Sequence, residues 1–179
     1  MRLRIKVSFL LTFISLTFSG VGENANANLY KNFVVISRRT SKDKFFLPNG
    51  DIYIGNFVKG KFNGKGTFIR ANGDQYIGDF INWKFNGKGT LYWANGGKYV
   101  GDFVNGKFNG KGNYIQANGD KYIGDFVNNM FNGVGALFLS NGDQYIGDFV
   151  NGKFNGTGTF TRGNGEIIQG KWLNGNLVN

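Results

Sequence analysis

One run of sequence is repeated along this chain: Asn72-Gly73-Asp74-Gln75-Tyr76-Ile77-Gly78-Asp79-Phe80-Ile81-Asn82-Trp83-Lys84-Phe85-Asn86-Gly87-Lys88-Gly89-Thr90-Leu91-Tyr92-Trp93-Ala94. Similar copies begin with Asn-Gly at positions 49, 72, 95, 118, 141 and 164, so successive copies start 23 residues apart without insertion or deletion. A fixed short period predicts an array of stacked units, each of which buries its apolar face against its neighbours.

Five complete copies occupy residues 49–163, and a degenerate sixth copy occupies residues 164–179. The sixth copy has Trp172 where the others have Phe, and we expect it to act as a C-terminal cap. Residues 28–48 combine a basic arm with Phe45-Phe46-Leu47, which aligns with the last strand of a unit. Because the end units of an array lack one neighbour, a capping strand is expected at each end.

Each copy has the pattern of a β-hairpin. Its opening Asn-Gly predicts a tight type I′ turn, because these two residues adopt positive φ at low cost. The alternating segment that follows, Tyr99 to Phe103 in the third copy, predicts a strand. A longer turn over 105–110 and a second strand over 112–116 complete the unit. The sequence therefore predicts an all-β fold, an elongated single-layer antiparallel meander of stacked 23-residue hairpins.

Side chains alternate between the faces of a strand, so Tyr99, Gly101 and Phe103 share one face while Val100 and Asp102 point to the other. We expect the aromatic face to be packed, with each Gly leaving a slot for a ring from the adjacent strand. The recurring Phe of the longer turn is expected to fold over this face. These Phe are Phe62, Phe85, Phe108, Phe131 and Phe154. The Tyr-x-Gly-x-Phe signature comprises Tyr53, Gly55, Phe57, Tyr76, Gly78, Phe80, Tyr99, Gly101, Phe103, Tyr122, Gly124, Phe126, Tyr145, Gly147 and Phe149.

The unit closely resembles the MORN (membrane occupation and recognition nexus) repeat, roughly Tyr-x-Gly-x-Phe/Trp-x-x-Gly-x-x-x-Gly-x-Gly. In the first copy the matching residues are Tyr53, Gly55, Phe57, Gly60, Gly64 and Gly66. The departures are Trp83 and Asn129 in place of a turn Gly, and Ile168 in the Tyr position. The resemblance implies a stacked-hairpin fold with a binding role, and the family name implies phospholipid head groups as one class of ligand.

The first residues have the pattern of an export signal. Arg2, Arg4 and Lys6 precede a largely apolar run over 7–18, which is too short to span a bilayer, and Ala25-Asn26-Ala27 fits a processing site. We expect residues 1–27 to be a signal peptide, cleaved after Ala27, that directs the chain to the periplasm or the cell exterior. The alternative is an uncleaved segment that anchors the chain to a membrane.

The chain is basic, with 21 Lys and Arg against 11 Asp and Glu. This balance favours anionic partners such as phospholipid head groups or acidic polysaccharides, and export disfavours nucleic acid. The absence of His and Cys removes the commonest general base, the thiol nucleophile and most transition-metal ligands. Asp recurs in two rows of the array, but equivalent residues lie roughly 10 Å apart, too far for a retaining glycosidase pair. No catalytic residue, cofactor site or metal site is therefore predicted.

Three surfaces are candidates for binding. The first is a ladder of recurring lysines, comprising Lys61, Lys65, Lys84, Lys88, Lys107, Lys111 and Lys153. The second is the basic arm with Arg38 and Arg39. The third is an apolar patch in the fourth copy, where Met130 and Val134 interrupt the ladder and Leu137, Phe138 and Leu139 follow.

The sequence thus predicts a non-enzymatic, exported scaffold that presents an extended surface to a protein partner. Peripheral binding to anionic phospholipid head groups through the lysine ladder is the alternative. Ordinary solubility remains a third explanation of the lysines.

Overall fold

The computed structural model describes residues 34–35 and 43–178, and all regular structure in this range is β-strand. These residues belong to two compact units, an N-terminal unit that ends at Lys107 and a C-terminal unit that begins at Phe108. The predicted signal peptide and the residues Arg38 and Arg39 lie outside the described residues.

Fourteen strands occupy the described residues, and within the repeats strands of seven and nine residues alternate. The N-terminal unit contains β1 (Val34–Val35), β2 (Asp43–Phe46), β3 (Ile52–Val58), β4 (Lys61–Ile69), β5 (Gln75–Ile81), β6 (Lys84–Tyr92) and β7 (Lys98–Val104). β8 (Lys107–Ile115) begins at the last residue of the N-terminal unit and otherwise belongs to the C-terminal unit. The C-terminal unit also contains β9 (Lys121–Val127), β10 (Met130–Phe138), β11 (Gln144–Val150), β12 (Lys153–Thr161), β13 (Ile167–Leu173) and β14 (Asn176–Val178).

Within each unit every strand pairs antiparallel with the next strand in sequence, which confirms the predicted antiparallel meander. In the second repeat, Tyr76 of β5 lies opposite Leu91 of β6, and Gly78 lies opposite Gly89. The register then shifts between Gly78 and Asp79. This bulge accommodates the two extra residues of the longer strand and returns Phe80 opposite Phe85.

The positions of the two turns are the reverse of the sequence prediction. The tight two-residue turn joins β5 to β6 through Asn82 and Trp83, both at positive φ (48° and 72°). The opening Asn-Gly instead belongs to a longer loop in which the Gly73 amide donates to the Arg70 carbonyl (2.9 Å) and only Gly73 has positive φ (94°). The prediction was wrong because Asn-Gly suits both turns, and a three-residue loop needs left-handed backbone at its last residue alone.

The aromatic face of each hairpin is fully packed. Tyr76 is 1% exposed, and its ring stacks on Phe85 of the next strand with centroids 3.7 Å apart. Phe80 and Phe103 meet the same ring edge-on at 5.1 Å and 5.0 Å. The same stacking joins Tyr53 to Phe62, Tyr122 to Phe131 and Tyr145 to Phe154. The core of each unit is therefore a row of rings, as the alternation in the sequence suggests.

The glycine slot is occupied differently from the prediction. A Cβ added at Gly78 would meet the ring of Tyr76, which lies two residues earlier in the same strand. The ring also covers Gly89 of the next strand, so one tyrosine fills the space above two glycines. The Tyr76 hydroxyl donates to the Asp79 carbonyl at 2.9 Å, which fixes the ring in this position. The adjacent strand supplies the stacked Phe rather than the ring in the slot.

Both ends of the array are covered by side chains that replace the missing neighbour. At the C-terminal end, Trp172 is 2% exposed and its indole N–H donates to the Gly158 carbonyl at 3.1 Å. Ile168 stands where other repeats have Tyr, and the slot above Gly170 is filled by Leu177 of β14. At the N-terminal end, Phe45 packs on Phe57 with centroids 4.0 Å apart.

Candidate functional site

The face opposite the rings, called here the outer face, is the largest exposed surface that the repeats share. The residues after Tyr and after Phe point to it in every complete repeat, and nearly all are β-branched aliphatics. Ile77 is 45% exposed and Ile81 is 53% exposed. Their exposed equivalents are Val58, Val100 and Val104 in the N-terminal unit, and Ile123, Val127, Ile146 and Val150 in the C-terminal unit. The sequence pattern placed Val100 on this face, but Val100 was not among the predicted binding residues. The recurrent Ile or Val at this position was the signal that could have identified it.

A shallow groove of about 530 Å³ crosses the outer face of the N-terminal unit. Its floor is the backbone of the paired glycines, such as Gly78 and Gly89, whose inner side carries the tyrosine ring. Thr67, Ile77, Thr90 and Val100 line it, together with Lys65 and Lys88. The groove is therefore part aliphatic and part polar.

One half of the predicted lysine ladder is paired with carboxylates of the next repeat. Lys65 contacts Asp79 at 2.9 Å, Lys88 contacts Asp102 at 2.6 Å and Lys111 contacts Asp125 at 2.8 Å. These lysine side chains are 74–81% exposed, so each pair stabilises the fold by about 1 kcal/mol at most. The pairing also reduces the positive potential that the ladder presents to an anionic ligand.

The other half of the ladder lies at the start of the longer strands. Lys61, Lys84, Lys107 and Lys153 are exposed. Lys61 pairs in register with Val58, and Lys84 pairs with Ile81, so these lysines alternate with aliphatic residues across the outer face. This row adds exposed positive charge to the outer face.

The apolar patch predicted in the fourth repeat is wrong at Leu137. Leu137 is only 3% exposed because it points to the aromatic face, where it lies opposite Tyr145. Met130, Phe138 and Leu139 are half-buried. The most exposed large hydrophobic residue of this repeat is Val134, at 63%, on the outer face opposite Asp148.

The second row of aspartates connects successive loops. The Asp74 carboxylate accepts a hydrogen bond from the Ala94 amide of the following loop (3.0 Å) and another from the Asn72 side chain (3.0 Å). Asp51, Asp120 and Asp143 make the same connection to Ala71, Ser140 and Gly163. Partial burial acts to raise the pKa of Asp120, but hydrogen bonds from Ser140 and Asn118 outweigh it and hold the pKa below its usual value. These carboxylates are structural, and within the described residues no group of three or more His, Cys, Asp or Glu could hold a metal ion.

The buried tyrosines are the titratable groups most affected by the fold. Burial raises the pKa of Tyr53 and of Tyr145 to about 12. Burial, followed by the nearby Asp charge, raises the pKa of Tyr76, Tyr99 and Tyr122 as well. Their hydroxyls donate to backbone carbonyls inside the packed face, so they serve packing and present no reactive group to solvent.

Comparison with known families identifies the repeat. The model of the MORN repeat family matches residues 53–75, 76–98, 99–121, 122–144 and 145–167. This chain belongs to the MORN repeat family. MORN repeats are binding repeats, which agrees with a surface built from packed hairpins and an exposed outer face. Within the described part of this MORN chain, no helix has the length and apolar character needed to cross a membrane.

Two solved structures that the chain is similar to share little sequence identity with it. No curated protein matches the chain. One similar solved structure is the TCP domain of SAS-4 (dCPAP) of Drosophila melanogaster in complex with a proline-rich motif of Ana2 (dSTIL), with 13% identity over 76% of this chain and 88% of that chain and a TM-score of 0.33. Another is selenomethionine-substituted virginiamycin B lyase from Staphylococcus aureus, with 9% identity over 72% of this chain and 54% of that chain and a TM-score of 0.20.

Proposed function

We propose that this MORN-repeat chain is an exported, non-enzymatic scaffold that binds a protein partner through the outer face of its sheet. The observation that carries the proposal is the recurrent exposure of aliphatic side chains on that face, such as Ile77 at 45% and Val100 at 42%. In a sheet with one face exposed only to solvent, the residues that point to that face are mostly polar. An aliphatic residue kept exposed in every complete repeat supports a contact surface.

The composition of the outer face favours protein over lipid. Protein interfaces combine an apolar centre with a polar rim and are depleted of unpaired charge at the centre. Here aliphatic rows alternate with Thr67 and Thr90, and the flanking Lys65 and Lys88 are neutralised by carboxylates. Most Tyr and Phe rings of the repeat signature, which would be strong anchors in a bilayer interface, are buried in the fold, whereas Tyr92 is 38% exposed.

Binding to anionic phospholipid head groups is the second candidate function. The exposed row that includes Lys61, Lys84 and Lys107 favours it, because these lysines lie on the same face as Val58 and Ile81. Acidic polysaccharides would use the same lysines. Such binding would fall steeply with salt, since exposed charges are screened within about 8 Å at physiological ionic strength.

Two matched variants separate these functions. The aliphatic variant carries threonine in place of Ile77, Val100, Ile123 and Ile146, which preserves β-branching and strand propensity. The charge variant carries glutamate in place of Lys61, Lys84, Lys107 and Lys153. Each is compared with the parent in pull-downs from the exporting cells and in flotation with phosphatidylglycerol vesicles.

We expect the parent and the charge variant to recover the same protein and the aliphatic variant to lose it, with little flotation by any form. Strong flotation of the parent that salt and the charge variant both abolish would replace the protein-binding proposal with the lipid-binding one. Equal recovery by parent and aliphatic variant would show that the outer face is not the contact surface.

A further inference from the structure

The fourth repeat departs from the others at both lysine positions, and the structure shows the consequence for one carboxylate. In the first three repeats the second lysine pairs with the aspartate of the following repeat. In the fourth repeat Val134 takes that position and lies directly opposite Asp148. Among the described residues Asp148 has no Lys or Arg partner, and its carboxylate accepts only the Thr157 amide at 2.8 Å.

Three exposed aliphatic residues flank this carboxylate, and Lys153 lies opposite one of them, Val150. Ile146 and Val150 flank Asp148 on the same face of β11 and are 53% and 43% exposed. Val134 on β10 is 63% exposed. Met130, which replaces the first lysine of the repeat, pairs in register with Val127, itself 43% exposed. Val127, Met130, Val134, Ile146 and Val150 together with Asp148 are called here the repeat-four patch.

Resting on the proposed function, we infer that the repeat-four patch is where the protein partner docks, and that the partner brings a lysine or arginine set among aliphatic side chains. Asp148 offers a carboxylate whose usual cation is missing, so a basic side chain restores the pairing seen in the other repeats. The exposed aliphatics supply the apolar contact around it. A protein segment fits better than an anionic membrane, because phospholipid head groups would be repelled by Asp148 and a bilayer would have to desolvate it.

The repeat itself supplies a variant that should not harm the fold. Val134→Lys restores the residue found at this position in the first three repeats and provides Asp148 with the same cross-strand partner. It removes the most exposed aliphatic residue of the patch and pairs the carboxylate at the same time. The matched control is Ile167→Lys, which replaces a similarly exposed aliphatic residue (64%) in the degenerate sixth repeat, outside both the repeat-four patch and the outer-face residues of the complete repeats.

The experiment uses the whole chain with a photo-crosslinking residue at position 146, or at position 77 as the site control, irradiated in the exporting cells. We expect a discrete adduct from position 146 whose crosslinked peptide contains Lys or Arg beside aliphatic residues. Val134→Lys should lower its yield at least 10-fold, about 1.4 kcal/mol of binding free energy. Ile167→Lys should leave the yield unchanged. Thermal unfolding should show that Val134→Lys is at least as stable as the parent.

Several results would overturn the inference. These are no adduct from position 146, an adduct that survives Val134→Lys, a crosslinked peptide without basic residues, and an adduct with a second copy of this chain. An adduct from position 77 but not from 146 would remove the repeat-four patch and leave the outer-face proposal standing. No adduct from either position, together with flotation on phosphatidylglycerol vesicles, would overturn both.

Discussion

Gly78→Ala tests whether the tyrosine in its own strand fixes each hairpin. A Cβ at this position would lie 2.6 Å from Cζ of Tyr76 and 2.7 Å from the Cα of Gly89, closer than real Cβ contacts allow. The ring has no free direction in which to move, because Phe85 stacks on it at 3.7 Å and Phe80 and Phe103 hold its edges. The backbone of Gly89 cannot move without breaking the pairing of β5 with β6.

The expected loss of unfolding free energy follows from these contacts. Overpacking a rigid core costs about 1–3 kcal/mol. Displacement of the Tyr76 hydroxyl from the Asp79 carbonyl adds about 1 kcal/mol. The reduced backbone freedom of the unfolded chain returns roughly 0.5–1 kcal/mol. We therefore expect a net loss of about 1–3.5 kcal/mol, measured from urea unfolding curves followed by tryptophan fluorescence.

Two comparisons make this measurement decisive. Gly96→Ala has open space around the added Cβ and only the strain of a positive φ of 95°, so it should cost about 1 kcal/mol. Tyr76→Phe removes the hydroxyl that a Cβ at residue 78 would meet, so the double variant should be more stable than the sum of the two single losses predicts. If Gly78→Ala costs no more than Gly96→Ala, or if the two losses simply add, the slot does not constrain the hairpin.

Three further outcomes are expected. Burial raises the pKa of Tyr53 and Tyr145 to about 12. Above pH 10 the unfolded chain therefore releases protons that the folded chain retains, so the free energy of unfolding should fall between pH 10 and 12 by up to about 1.4 kcal/mol per pH unit for each tyrosine. Equal urea midpoints at pH 8 and 11 would contradict this. Asp74→Ala should lower the free energy of unfolding by about 1–2 kcal/mol, because it leaves the Ala94 amide without its acceptor. Asp79→Asn, which loses one exposed ion pair, should lower it less. The reverse order in thermal unfolding would show that the loops are not coupled. Mass spectrometry of exported material should give an N-terminus at Asn28, and a full-length chain recovered from the membrane would instead support an uncleaved anchor.

The sequence was sufficient for the fold because each level of its pattern agrees with the others. Period, alternation and aromatic spacing all place Tyr76 and Phe80 on one face, and the structure buries both. The positions of the tight and the longer turn could not be predicted from the sequence, because the dipeptide Asn-Gly at Asn72 and at Asn105 lies in loops of different length. The two loops differ in how many residues separate the paired strands. That number depends on the register shift in the longer strand.

The candidate site was harder to predict, because the pairing of a lysine and the exposure of a side chain depend on residues of adjacent strands. Lys65 and Lys61 look alike in the sequence, but the structure brings only Lys65 to an aspartate of the next repeat. Leu137 looks like part of an apolar cluster, yet the alternation of β10 sends it to the core while Val134 faces outward.

The connection of one loop to the next through a single carboxylate bears on how such a chain changes length over evolutionary time. Asp51 holds Ala71, at the junction where one copy ends and another begins. Excision of residues 72–94 would join that junction to Asn95, whose copy offers an equivalent strand to the residues on the N-terminal side. The contacts of Trp83 with Phe57 and Phe62 would be lost, because Gly106 stands at the position of Trp83. Loss or duplication of whole copies in the gene therefore preserves the pairing between adjacent copies. A deletion of one residue would instead move the following tyrosines to the solvent-exposed face. Natural variation in this family is accordingly expected in steps of a complete copy.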